Sequence, residues 1–239
     1  MPQGLLALVV TAGSIGLIHT LIGPDHYLPF IVMAKARKWS LARTAWITVL
    51  CGLGHVGSSV VLGFIGIAAG LAVGQLELFE GHRGDIAAWM LTGFGLVYFV
   101  WGVRRAIRNC PHTHGHAHKG DVEHAHEHAH HDAHVHPHVE PAKVNLTPWV
   151  LFTIFVFGPC EPLIPLLMFP ALTDGGWGLA GVAVVCLVFA MATLAAMLTV
   201  VLVSTYAVNF LPTARLERYS HAMAGAAVFL CGVAIHLGL

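Results

Sequence analysis

The chain has 239 residues, 56% hydrophobic and 10% charged, and its 12 basic and 12 acidic side chains leave no net charge. Soluble domains carry about a quarter charged residues, so this composition excludes a soluble globular protein, and the neutral balance speaks against a nucleic-acid partner. Several apolar runs exceed the roughly 20 residues needed to cross a bilayer, which points to a polytopic helical membrane protein with the lipid bilayer as its solvent.

Six spans are predicted in chain order, at about 4–33, 42–73, 86–107, 149–172, 179–208 and 222–239. The first lacks a basic leader region and is too long for a cleaved signal peptide. It carries Ile18-His19-Thr20-Leu21-Ile22-Gly23-Pro24-Asp25-His26. An Asp at membrane depth costs roughly 2.5–3.5 kcal/mol on insertion scales, and such groups persist where something binds or passes. Imidazole and carboxylate together suit a divalent transition metal. Gly23-Pro24 should interrupt the helix, because Pro lacks the amide hydrogen and suits the first position of a new helical segment. Asp25 then falls in a first turn, where the helix dipole favours an anion.

The second span holds Gly52-Leu53-Gly54-His55-Val56-Gly57-Ser58-Ser59, whose small residues allow close helix approach. A lone His55 would be read as a hydrogen bond to a neighbouring helix. Beside the first-span cluster it reads as a ligand or pathway residue. Trp89, Tyr98, Trp101, Trp149 and Trp177 fall near the expected interfaces as an aromatic belt and receive no chemistry.

Between the third and fourth spans lies a tract with twelve of the eighteen histidines: His112, His114, His116, His118, His124, His126, His128, His130, His131, His134, His136 and His138. It cannot form a core, so disorder is expected. Its neutral imidazoles suit capture of nickel, cobalt, zinc or copper, and should weaken below about pH 6.5 as protons compete for the ring nitrogens. The fourth span repeats the Gly-Pro step as Gly158-Pro159-Cys160-Glu161-Pro162-Leu163. Cys160 and Glu161 are read as second-half metal ligands. Glu161 is the only carboxylate deep in that half, and no Lys or Arg is expected within the spans to neutralise it or Asp25. The five cysteines show no paired spacing and no disulfide framework. His236 in the last span reads equally as a satisfied polar residue or a functional one.

The two Gly-Pro segments, each in the first span of a triplet, predict an all-α membrane fold. It would comprise six transmembrane helices in two inverted three-helix repeats, with helices broken at Gly23-Pro24 and Gly158-Pro159. The domains would be 1–109, a His-rich cytoplasmic loop at 110–146, and 147–239. Lys and Arg concentrate in the odd-numbered connections. By the positive-inside rule both termini should then face outside a bacterial inner membrane, with the His-rich loop cytoplasmic.

His19-x5-Asp25-His26, Leu53-Gly54-His55 and the mid-chain His-rich loop resemble the nickel/cobalt transporter superfamily: nickel/cobalt permeases, nickel/cobalt efflux proteins and the membrane proteins of urease clusters. The resemblance implies that His19, Asp25, His26 and His55 handle the metal, and the loop looks more like the efflux branch. A second resemblance links Gly158-Pro159-Cys160-Glu161-Pro162 to the Pro-Cys-x-x-Pro segments of membrane thiol–disulfide relays. Here the partner thiol is missing, because Asp25 or His26 stands in its place.

The expected function is transport of a divalent transition-metal ion, Ni²⁺ or Co²⁺ first and Zn²⁺ next, by alternating access through His19, Asp25, His26, His55, Cys160 and Glu161. No enzymatic constellation and no permanently bound cofactor is expected. A membrane metal sensor or metallochaperone partner built on the His-rich tract is the alternative outside transport, and a metallochaperone or a second copy of the chain are partners this reading admits.

Overall fold

A computed structural model describes residues 3–108, 112–117, 123–128, 146–172, 178–209 and 217–238. Its helices are α1 (Gln3–Ile22), α2 (Leu28–Arg37), α3 (Leu41–Ala68), α4 (Val73–Arg108), α5 (Thr147–Phe157), α6 (Leu163–Leu172), α7 (Gly178–Asn209) and α8 (Ser220–His236), with short 3-10 turns at Pro24–His26 and Glu217–Tyr219.

Local chemistry sets the ends. Pro24 pushes the preceding residue out of the helical region, and Gly23 is extended at φ −83 and ψ 96. Lys38 closes α2 in the left-handed region at φ 52, with its N–H donating to the carbonyls of Ala34 and Lys35. Ser40 opens α3, its hydroxyl accepting from the Arg43 N–H at 3.3 Å.

Large apolar side chains face outward along the bundle, among them Trp46, Val61, Val97, Leu187 and Val203. Helices apolar on every side belong in a membrane. Inside, α4 and α8 approach to backbone contact. A methyl group added at Gly95, Gly102, Gly225 or Gly232 would meet the facing helix's backbone at under 3.0 Å, so these positions require glycine.

Two expectations are corrected. Among the described residues, five helical segments are long and apolar enough to cross a membrane: Gly4–Ile22, Leu41–Ala68, Val73–Arg108, Ala180–Val208 and Glu217–His236. The expected fourth span at 149–172 is instead α5 and α6, of 11 and 10 residues, separated at Gly158-Pro159. At 1.5 Å per residue each covers about 15 Å, half a hydrocarbon core of about 30 Å. Five such segments do not make the expected six-helix pair of inverted repeats. An odd number of crossings places the two ends of the chain on opposite sides, which overturns the placement of both termini outside.

The third span also starts earlier than expected. α4 begins at Val73, because Leu76, Glu80, Gly84, Ala87 and Leu91 form one continuous buried stripe at helical spacing. Within the His-rich tract, His112–Ala117 and Glu123–His128 pair as antiparallel strands, opposing His112 to His128, His114 to His126 and His116 to His124. The alternating His-x-His pattern carries the period of two that strands require. The expected capture residues His118, His130, His131, His134, His136 and His138 lie outside the described residues, as do Cys110 and Trp177.

Candidate metal centre

The site begins at the first helix break. α1 ends where the Gly23 N–H reaches back to the His19 carbonyl at 3.1 Å. The chain then turns tightly, with the His26 N–H donating to Gly23 O at 3.1 Å and the Tyr27 N–H to Pro24 O at 3.3 Å. This turn carries His26 back beneath the end of α1, and the two imidazoles meet edge to face with ring centroids 4.7 Å apart.

His55 arrives from α3. Gly54 lets that helix press against Val156 and Phe152 of α5. The His55 ring lies 5.0 Å from that of His26, edge to face, and 6.4 Å from that of His19, nearly parallel. One nitrogen from each of His19, His26 and His55 falls in a group within 4.8 Å of one another. His26 and His55 are each 3% exposed, so neither is placed for solvent.

Hydrogen bonds assign the tautomer of His26. Its Nδ1 faces two acceptors, Asp25 Oδ1 at 3.1 Å and Gly23 O at 3.2 Å, and therefore carries the proton. Its Nε2 lone pair is left facing His55 Nε2 at 3.3 Å. A tetrahedral ion with metal–nitrogen bonds of about 2.0–2.1 Å holds neighbouring ligand nitrogens about 3.3–3.4 Å apart. His26 and His55 already stand at that separation. His19 Nε2 is buried without a hydrogen-bond partner, and His55 Nδ1 has none of normal geometry, with the Phe155 carbonyl beside it. A buried orphan of this kind costs about 1–3 kcal/mol, a cost that a bound ion would relieve at His19. The donor set therefore fits a transition metal.

The expected ligands fall into three groups. His19, His26 and His55 converge. Asp25 stands behind His26, as the carboxylate that orients a ligating imidazole and raises its basicity. Glu161 lines the same cavity of about 540 Å³, which both Gly-Pro breaks border, but it is not one of the converging three. Cys160 is turned away. It is fully buried in the apolar core, and the cavity lining does not include it. The described cysteines Cys51, Cys160, Cys186 and Cys231 are all free and buried. His236 packs on Trp89 with ring centroids 4.5 Å apart and is not one of the converging three.

Sequence reasoning missed Glu80 and Arg83. Charges at 77–85 read as a connection, yet both residues sit inside α4. Glu80 is fully buried and ion-paired with Arg83. Glu80 Oε2 accepts from Ser59 Oγ at 3.0 Å and from the Cys160 N–H at 3.0 Å. Arg83 Nη2 donates to Ser58 Oγ at 2.6 Å, Val156 O at 2.8 Å and Gly158 O at 3.4 Å. The signal that exposes them is their place beside the stripe Leu76, Gly84, Ala87 and Leu91, with the i,i+3 spacing of a helical ion pair.

No family model, curated protein or solved structure matches this chain. The long apolar helices and the three-histidine cluster define a membrane-embedded protein with a site able to coordinate a metal ion.

Proposed function

We propose that this protein carries a divalent transition-metal ion across the membrane, Ni²⁺ or Co²⁺ first and Zn²⁺ next, and that it belongs with the nickel/cobalt transporter superfamily it resembles. The observation that carries the reading is the convergence of His19, His26 and His55 in one cavity at a helix break. Imidazole nitrogen suits these ions.

The chemistry follows from the donors. The ion sheds water and gains His26 and His55 at a spacing that needs little rearrangement. A His19 nitrogen lies within 4.8 Å of theirs, and its Nε2 makes no hydrogen bond. A set that is partly open releases its ion more readily than a closed structural site, and release is what a carrier needs. Asp25 keeps His26 in the ligating tautomer. Glu161 offers an oxygen to the same cavity for entry or exit. Alternating exposure of this cavity to the two sides would complete a transport cycle.

The thiol-relay reading loses support, because Cys160 is sealed in the core and no described cysteine lines the cavity. Transport is tested by metal flux into proteoliposomes with Ni²⁺, Co²⁺, Zn²⁺, Mn²⁺ and Mg²⁺ compared side by side. Uptake of the first three that vanishes in His26→Ala is expected. Flux unaffected by that substitution would refute the reading.

A further inference from the structure

Glu80 and Arg83 form an ion pair withdrawn from solvent, Glu80 completely and the Arg83 side chain to 17% exposure. Buried pairs are not stability devices in general, since desolvation offsets much of their attraction. This one must therefore be judged by what it touches. Apart from each other, its hydrogen-bond partners are Ser58 and Ser59 of α3 and the backbone of the break at 156–160.

The break needs such partners. A helix that ends within a membrane leaves carbonyls and amides with no water to satisfy them. Arg83 takes the carbonyls of Val156 and Gly158, and Glu80 takes the amide of Cys160. Backbone capping alone would not require a connection to α3. That connection runs through Ser58, whose hydroxyl donates to the His55 carbonyl at 2.8 Å and accepts from Arg83. A Cβ on Gly158 would lie 3.0 Å from His55 Nδ1, so the glycine lets the break approach the histidine closely. Glu161 follows immediately and lines the cavity.

We propose that Glu80 and Arg83 are positioning residues for the metal cavity: the pair locks the 156–160 break against the His55 turn and thereby fixes where Glu161 stands relative to the three histidines. This rests on the reading of the cavity as a transition-metal site. Neither residue touches the ion. Their effect reaches it through Ser58 and His55 on one side and through Gly158 to Glu161 on the other.

The test uses Co²⁺, whose ligand-field absorption reports coordination, on the purified full chain. The absorption component lost in His26→Ala defines the membrane site and separates it from binding by the His-rich tract. Arg83→Met should weaken Co²⁺ binding at that site by about tenfold or more, as loss of outer-shell support does, and should alter the band. Arg83→Lys should recover only part of the affinity, because the three N–H groups of one ammonium cannot replace the guanidinium's contacts to Glu80, Ser58, Ser59, Val156 O and Gly158 O. Ser58→Ala cuts the connection to His55 without stranding a charge, so it carries the test if Arg83→Met does not fold. It should shift the same band with a smaller loss of affinity.

A lowered melting temperature with wild-type Co²⁺ affinity and an unchanged band, in Arg83→Met or in Ser58→Ala, would mark a purely structural clamp and overturn the proposal. If His26→Ala removes no absorption component, the metal-site reading itself fails and the positioning role falls with it. If His26→Ala removes the band while the clamp variants leave it intact, the metal site stands and only the positioning role is lost.

Discussion

The two Gly-Pro breaks begin alike and end differently. At the first, the chain satisfies itself: Gly23 O and Pro24 O accept from the amides just downstream, and the side chains of Asp25 and His26 face the cavity. At the second, local capping recurs, with Cys160 O and Glu161 O accepting from the Leu163 and Ile164 amides, but another helix adds support: Glu80 and Arg83 of α4 hold the backbone of Val156, Gly158 and Cys160. A break capped only by its own backbone is free to turn its side chains into the cavity. A break held from outside gives up some of its own groups to the holder, and Cys160 is buried beside Glu80 as a result. The same dipeptide thus turns His26 and Asp25 into the cavity in one place and is braced by a neighbouring helix in the other.

The contrast is broken most severely at the second turn. Arg83→Met strands the Glu80 carboxylate in the interior, and removal of one partner of a buried pair costs about 3–5 kcal/mol. Thermal unfolding in detergent without added metal should show the loss. Gly23→Ala at the first turn should act in the opposite way. Its methyl group would fall 2.6 Å from His26 Nδ1 and 2.8 Å from Asp25 Oδ1. Metal affinity should therefore fall well before stability does. If both substitutions lowered stability equally and spared metal binding, the distinction between the two turns would be gone.

A smaller effect is expected at Asp25. Asp25→Asn keeps the shape but removes the charge that holds the His26 Nδ1 proton, and should reduce metal affinity by about 10–100-fold, measured by isothermal titration with Zn²⁺. Unchanged affinity would show that Gly23 O alone fixes the tautomer. The smallest effect belongs to Cys160. Cys160→Ala should leave metal affinity at the wild-type value and cost no more than about 1–2 kcal/mol, since one small buried group is lost. A large loss of binding would return Cys160 to the ligand set.

The histidine cluster was legible because its logic is local. His19, Asp25 and His26 surround a Gly-Pro step that must interrupt a helix, and His55 sits among small residues that must bring a helix close. The rest depended on direction and on partners far along the chain. Spacing could propose Cys160 and Glu161 together, but adjacent residues on a turn point apart, and only Glu161 reaches the cavity. Glu80 and Arg83 looked like a charged connection because their partners lie in α3 and at 156–160. The count of spans failed for a related reason. A mostly apolar run of 24 residues at 149–172 satisfies a length rule, yet Gly158-Pro159 divides it into two helices that are each too short. Composition gave the reason for expecting disorder around His112–His138, whereas the alternating His-x-His pattern that pairs in β1 (His112–Ala117) and β2 (Glu123–His128) is a periodicity signal.

X-ray absorption on the full chain, with the tract histidines replaced by asparagine and one equivalent of Zn²⁺ bound, tests the three-histidine centre most directly. We expect a shell of nitrogen and oxygen only, at about 2.0–2.1 Å, with the multiple-scattering signature of imidazole, and loss of the bound ion in His26→Ala. A sulfur neighbour at about 2.3 Å, or an unchanged spectrum in His26→Ala, would contradict a site built on His19, His26 and His55.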